Sequence, residues 1–339
     1  MSRCIFILFL LTISAFLFLS CSTQSSDEVV IYTSVDQVFA EPILKDLQQE
    51  TGITVKAVFD TEETKSTGVL NRLIAEAANP QCDVFWSGDP VRANVLKQKG
   101  ISEPYQSKVA EGIPAYFIDH DKHWTGFSSR ARVLIYNKNL VPSDKIPSSL
   151  LDLTKEEYKG KVAIANPLFG TTSFHIAAIF SALGDEKAKK WLSDLKANNV
   201  IIATSNGDVK KRVSNGEIWC GLTDTDDANE AIKEGAPVGI VFLGQSDIGA
   251  LIIPNTVSLI KNSPNGVNAK KAIDYLISKE TQLKLAKSCA QMPLSKGVEV
   301  PQGVFSLDKV KAMQVNYDQT SKKLEEIQNY LKEWVENNS

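Results

Sequence analysis

The stretch Val29-Val30-Ile31-Tyr32-Thr33-Ser34 is a β-branched run that stops at a small hydroxyl residue, the pattern of a buried strand. Phe39, Ile43, Leu44 and Leu47 then recur at helical spacing over 39–51, and Gly52 stands where a helix C-cap is expected. Residues 53–59 read as a second strand. Residues 67–78 carry Leu70, Leu73, Ile74 and Ala77 on one helical face. Asp83-Val84-Phe85-Trp86 is a third strand, ending in Ser87-Gly88-Asp89, and 91–98 is a helix closed by Gly100. Strand and helix alternating through short links predict βαβ units and a mainly parallel sheet.

The same rhythm returns downstream. Residues 131–136, 161–165, 200–202, 238–243, 251–253 and 257–260 read as strands, and 173–183, 188–198 and 268–278 as helices. The tail, 308–336, reads as one long polar helix or a helix pair, with Val315, Leu324, Ile327, Leu331 and Trp334 spaced for a single apolar face. No internal repeat and no low-complexity linker divides the chain.

The composition belongs to a folded protein. The chain has 339 residues, 43% hydrophobic and 23% charged, which suits two domains or one large α/β unit and excludes disordered, collagenous and disulfide-scaffold classes. Lys+Arg 37 against Asp+Glu 40 leaves a net charge of −3, so no nucleic-acid partner is expected.

The first 21 residues differ from the rest. Arg3 precedes an uncharged apolar run over 5–19 that ends at Leu19-Ser20-Cys21. This is the layout of a secretory signal, shorter than the roughly 20 apolar residues of a spanning helix. A Cys directly after a small residue resembles a bacterial lipobox, although Phe18 stands where Leu is usual. The expectation is a signal peptide over 1–21, a tether over 22–28, and lipid attachment at Cys21 that holds the protein to a membrane from the periplasm or cell surface. Once Cys4 and Cys21 are set aside, Cys82, Cys220 and Cys289 remain. They allow at most one disulfide and show no zinc-type spacing.

Polar residues concentrate just past the strand ends, where an open parallel sheet binds its ligands. These are Ser34 and Asp36, Thr64, Ser87 and Asp89, then 166–173 and 223–227. Any one alone reads more readily as an ordinary helix cap; five of them across two blocks point to a site. Gly170-Thr171-Thr172-Ser173 precedes an apolar helix, so unpaired N–H groups, hydroxyls and the helix dipole favour an anion. Arg130 and Arg132 sit two apart on a strand and therefore face one side. Enzyme signatures are missing: no Gly-x-Ser-x-Gly, His-Glu-x-x-His, Walker loop or dinucleotide fingerprint occurs. His120, His123 and His175 form no recognisable metal or catalytic set.

Val30-Ile31-Tyr32-Thr33-Ser34, 71–76, Asp83-Val84-Phe85-Trp86 and 128–137 (Ser-Ser-Arg-Ala-Arg-Val-Leu-Ile-Tyr-Asn) resemble the extracellular solute-binding proteins of bacterial ABC importers, nearest to the ferric-iron-binding branch. The resemblance implies a two-lobe periplasmic-binding-protein fold (type II), each lobe a mainly parallel sheet flanked by helices. The ligand would lie in the interlobe cleft, and a monomer that is not an enzyme would deliver it to a membrane permease. The lobes expected are 27–126 plus 250–293 and 127–249 plus 294–339. Ferric-binding members place adjacent tyrosines where this chain has Thr223-Asp224-Thr225-Asp226-Asp227, so a tyrosinate iron site does not carry over.

Two chemistries stay open, with no intrinsic cofactor in either. Asp224, Asp226 and Asp227 could supply oxygens to Fe(III) or another hard cation, with carbonate or phosphate held by Arg130 and the Thr171 helix start. Alternatively the same anion position takes the phosphate or carboxylate of a small organic molecule, such as a sugar phosphate, and the aspartates its hydroxyls. A periplasmic hydrolase is the remote alternative. The ligand-binding set is Ser34, Asp36, Thr64, Ser87 and Asp89 on one lobe, with Arg130, Thr171, Thr172, Ser173, Asp224, Asp226 and Asp227 on the other. With both cysteines expected in the first lobe, a Cys82–Cys289 disulfide is also expected.

Overall fold

The computed structural model describes residues 27–61 and 66–337. The 1–21 leader with Cys21, most of the 22–28 tether, and Thr64 lie outside the described residues. β1 (Glu28–Thr33) leads into α1 (Gln37–Thr51), which buries Ala40, Ile43, Leu44 and Leu47. Gly52 ends it at φ 73°, a left-handed turn that costs other residues roughly 1–2 kcal/mol. β2 (Thr54–Phe59), α2 (Thr67–Ala75), β3 (Val84–Ser87), α3 (Pro90–Gln98) and the short β4 (Ser102–Glu103) follow. β1 pairs in parallel with both β2 and β3.

β5 (Thr125–Asn137) is twice as long as its apolar stretch. Its first half is polar, so it carries no strand signature, yet it is buried because it pairs with a returning strand. β6 (Val162–Ala165), α4 (Gly170–Leu183), α5 (Asp185–Ala197), β7 (Ile201–Ala203), α6 (Asn206–Ser214), β8 (Cys220–Asp224), α7 (Thr225–Lys233) and β9 (Val238–Val241) build the second half. β6 pairs in parallel with β7 and β8. β10 (Ile252–Ile260) is one strand where two were expected; Pro254 lies within it, and its register against β5 shifts between Asn255 and Thr256. α8 (Gly266–Leu276) and α9 (Lys279–Cys289) replace the single helix expected, because the Ser278 hydroxyl accepts from Thr281 N–H and starts a new helix. β11 (Met292–Pro293) and α10 (Tyr317–Glu336) complete the chain.

The strand order β2-β1-β3-β10-β5-β8-β6-β7 gives each half the mainly parallel sheet expected. Two parallel triplets are joined by β10 and β5, which run antiparallel to each other and to their outer neighbours. One core gathers Ile31, Trp86, Phe127 and Ile273 around the first triplet. Another gathers Ile164, Phe174, Trp191 and Leu222 with Leu324, Leu331 and Trp334 of α10. α10 packs on α4 and also on α3. No described helix is long and apolar enough to cross a membrane.

The expected disulfide is absent. Cys82, Cys220 and Cys289 are free and buried. Cys82 packs with Tyr32, Leu73 and Phe85, on the sheet face opposite Val29 and Ile31, whereas Cys289 packs with Leu47 and Ile31. The sheet therefore stands between the two sulfurs, each of which donates to a local carbonyl, Val84 or Leu285.

Candidate functional site

Four helices begin at one cleft of about 400 Å³. α1 starts there after Ser34-Val35-Asp36, α4 after Asn166 to Phe169, α6 after Thr204-Ser205, and α7 directly after Asp224. The strands feeding them, β1, β6, β7 and β8, are parallel within their triplets, so their carboxyl ends and the following helix starts converge. Each start presents unpaired N–H groups and the positive end of a helix dipole, and together they favour an anionic ligand.

Arg130 and Arg132 project from β5 to the same side. Arg130 Nε donates to Asp224 Oδ2 at 3.1 Å, and its Nη1 to Asn255 Oδ1 at 2.8 Å. Arg132 Nη1 donates to Asp224 Oδ1 at 2.8 Å, Asn206 Oδ1 at 3.1 Å and Thr171 Oγ1 at 3.3 Å, while Nη2 reaches Thr172 Oγ1 at 3.4 Å. Thr171 Oγ1 donates to Asp224 Oδ2 at 2.7 Å. One arginine thus ties the starts of α4, α6 and α7 together. Burial acts to raise the Asp224 pKa, but Arg132, Arg130 and the Thr171 hydroxyl hold it below the usual carboxylate range.

Asp226 is the opposite case. Burial pushes its pKa up to about 7; Arg130, 3.8 Å away, acts to lower it, while Asp227 and Asp224 act to raise it. Asp227 accepts from Thr223 Oγ1 at 2.9 Å. One carboxylate oxygen from each of Asp224, Asp226 and Asp227 lies within 4.8 Å of the others, a spacing that suits an oxygen-ligated cation.

Of the residues expected from sequence, Ser34, Asp36, Arg130, Thr171, Thr172, Asp224, Asp226 and Asp227 line the cleft. Ser87, Asp89 and Ser173 do not. Asp89 caps α3 by accepting from Arg92 N–H at 3.0 Å and pairs with the Arg92 guanidinium at 3.3 Å. Arg92 Nη2 donates to Ser173 Oγ at 2.7 Å, and the Ser87 hydroxyl accepts from Asp89 N–H. These three form a buried clamp from α3 to α4, and strand-end position alone could not separate that from ligand contact. Asn166, in a strand-end loop singled out from sequence but not assigned to the site, also lines the cleft, and sequence reasoning missed Ser205, Asn206, Lys210, Glu230 and Gln291 on its wall. Ser205-Asn206-Gly207-Asp208 carries a helix-start signal, since the Ser205 hydroxyl caps Asp208 N–H; Gln291 carries none. Lys210 and Glu230 form an ion pair at the rim. Among the described residues, no tyrosine lines the cleft.

Known proteins agree with this geometry. Iron uptake protein A1 of Synechocystis sp. is 28% identical over 303 residues, 86% of this chain and 82% of that protein. A putative 2-aminoethylphosphonate-binding periplasmic protein of Salmonella typhimurium is 28% identical over 278 residues, 79% of each chain. The crystal structure of iron-bound HitA from Pseudomonas aeruginosa superposes with a TM-score of 0.83 at 22% identity, covering 90% of this chain and 99% of that one. The fold is therefore the two-lobe, type II periplasmic-binding-protein fold. Residues 79–325 match the model of the bacterial extracellular solute-binding proteins, most of the chain, and the protein belongs to that family.

Proposed function

We propose that the protein is the capture component of an ABC importer and takes up ferric iron, or a similarly hard cation, together with a small anion. The observation that carries this reading is the pairing of opposite half-sites in one cleft. Asp226 and Asp227, with Asp224 beside them, offer anionic oxygens, while Arg130 and the helix starts at Thr171 and Asn206 offer a seat for carbonate or phosphate. Its iron-uptake relative supports the same cargo. The cargo is carried and released without turnover, by a monomer that docks on a membrane permease. Lobes of 27–126 plus 250–293 and 127–249 plus 294–339 would close on it, and a lipid at Cys21 would hold the protein outside the cytoplasmic membrane.

A second reading is an organic phosphate or phosphonate bearing hydroxyls or an amine. Asp224 favours it, because both arginines already engage that carboxylate and two aspartates make a thin shell for a cation that takes six or more oxygens. The phosphonate-binding relative adds weight. Titration with chelated Fe(III), with and without carbonate, against a panel of sugar phosphates and aminophosphonates separates the two. Saturable, anion-dependent iron binding is expected. Saturable binding of a phosphorylated compound with no response to iron would replace the first reading by the second, and turnover of any of them would revive the hydrolase.

A further inference from the structure

Behind Arg132, on the side away from the cleft, β5, β8, α4, Leu150 and the 243–251 segment line a second cavity of about 10 Å³. Its walls are apolar apart from two side chains, Arg132 and His175. Both are deeply buried, 2% and 4% exposed. Arg132 commits Nη1 and Nη2 to the cleft network, but its Nε has no hydrogen-bond partner, and neither has Nδ1 of His175.

The two unsatisfied atoms are chemically complementary. An arginine Nε–H is an obligate donor, and a neutral imidazole carries one acceptor nitrogen. Burial, reinforced by Arg132, pushes the His175 pKa down to about 3, so the ring is neutral throughout the physiological range. A buried polar atom nearly always finds a partner in protein or ordered water. A volume near 10–15 Å³ is about what one water needs. A cation is disfavoured beside a guanidinium with no carboxylate on the wall, and an oxyanion is too large.

We propose that this cavity holds a single buried water that accepts from Arg132 Nε–H and donates to His175 Nδ1. His175 is then a positioning residue: it fixes, through the water, the arginine that gathers Thr171, Thr172, Asn206 and Asp224 at the cleft. The water also sets the tautomer, with the ring proton on Nε2. None of this depends on which cargo the cleft takes.

The test therefore uses the ligand-free protein. A crystal structure that shows ordered waters should place one within hydrogen-bond reach of both atoms; a dry or collapsed cavity overturns the proposal. In protein labelled with 15N-histidine, the signal lost in His175→Asn should report the Nε2–H tautomer; an Nδ1–H tautomer overturns it. Hydrogen exchange over 170–176 supplies the readout that packing alone would not move. His175→Leu fills apolar space but lacks an acceptor, and should exchange at least tenfold faster there. His175→Asn, with an oxygen near the Nδ1 position, should stay near wild type. Protection unchanged in the leucine variant, or lost equally in both variants, overturns the positioning role. If neither variant folds, the crystallographic result on the wild-type protein decides.

Discussion

At the residue scale, the three aspartates of 224–227 have different duties. Asp224 neutralises two buried guanidinium groups. Asp224→Asn removes that charge and should destabilise the fold by about 3–5 kcal/mol, the usual cost of stranding a buried partner, as read by urea denaturation. Asp226→Ala leaves Arg130 paired with Asp224. It should spare stability but weaken cargo binding at least tenfold, about 1.4 kcal/mol, and Thr172→Ala should do the same by calorimetric titration. Near-wild-type affinity in both would remove the proposed site. Asp226 also makes the ligand-free protein pH-sensitive. Its carboxyl titrates near 7 when folded against a reference of 3.8, so the folded chain holds a proton that the unfolded chain has lost between those values. The stabilisation is complete below about pH 4 and is lost as pH rises through about 7. Relative to Asp226→Asn, the wild type should lose stability across that window in denaturation curves taken at successive pH values; parallel curves would reject the assignment.

At the element scale, the approach of α6 to the sheet depends on Gly221 in β8. A Cβ there would lie 2.4 Å from Val209 Cγ1 and 2.8 Å from the Ala163 carbonyl oxygen. The second neighbour is backbone and cannot swing aside. Gly221→Ala should therefore cost about 1–3 kcal/mol and push the Asn206 end of α6 outward, lowering Tm and cargo affinity together; an unchanged Tm would show that the helix shifts freely. Elements with strong periodicity, such as α1 and the apolar half of β5, were legible in the sequence. The polar half of β5 was not, because Ser128 and Ser129 find their side-chain partners only in segments that arrive more than 100 residues later. Ser128 Oγ, for example, donates to Gln291 Oε1 at 2.7 Å. α6 was missed for a related reason: only Val209 and Val213 mark its buried face. The cleft was half legible. Strand-end loops located it, but whether a polar side chain there meets ligand or a neighbouring helix, as Asp89 does, is a matter of tertiary packing.

At the scale of the whole molecule, the two parallel triplets anchor different hydrophobic clusters, although Val91 and Ala93 of α3 join the second, and they share their middle. β5 pairs with β10 through its first half and with β8 and β9 through its second, so neither core can be completed without it. α10 adds a second bridge. Gln98 Nε2 of α3 donates to its Ser321 Oγ at 2.9 Å, and its Trp334 Nε1 donates to the Leu192 carbonyl at 3.1 Å. The Asp89–Arg92–Ser173 clamp is a third. Three links of this kind argue for one cooperative unit, with hinge motion confined to the side where the cleft opens. Urea unfolding should then give a single transition, coincident for fluorescence and far-UV circular dichroism, in spite of the two cores. A cargo present at 100 times its Kd should stabilise the entire transition by about 2.7 kcal/mol, not one half of it. Trp334→Ala should remove about 3–5 kcal/mol while keeping the transition single, because the strands and the clamp remain. Two resolved transitions in the wild type would mean that the halves fold independently, and that α10 and the clamp merely rest across the boundary.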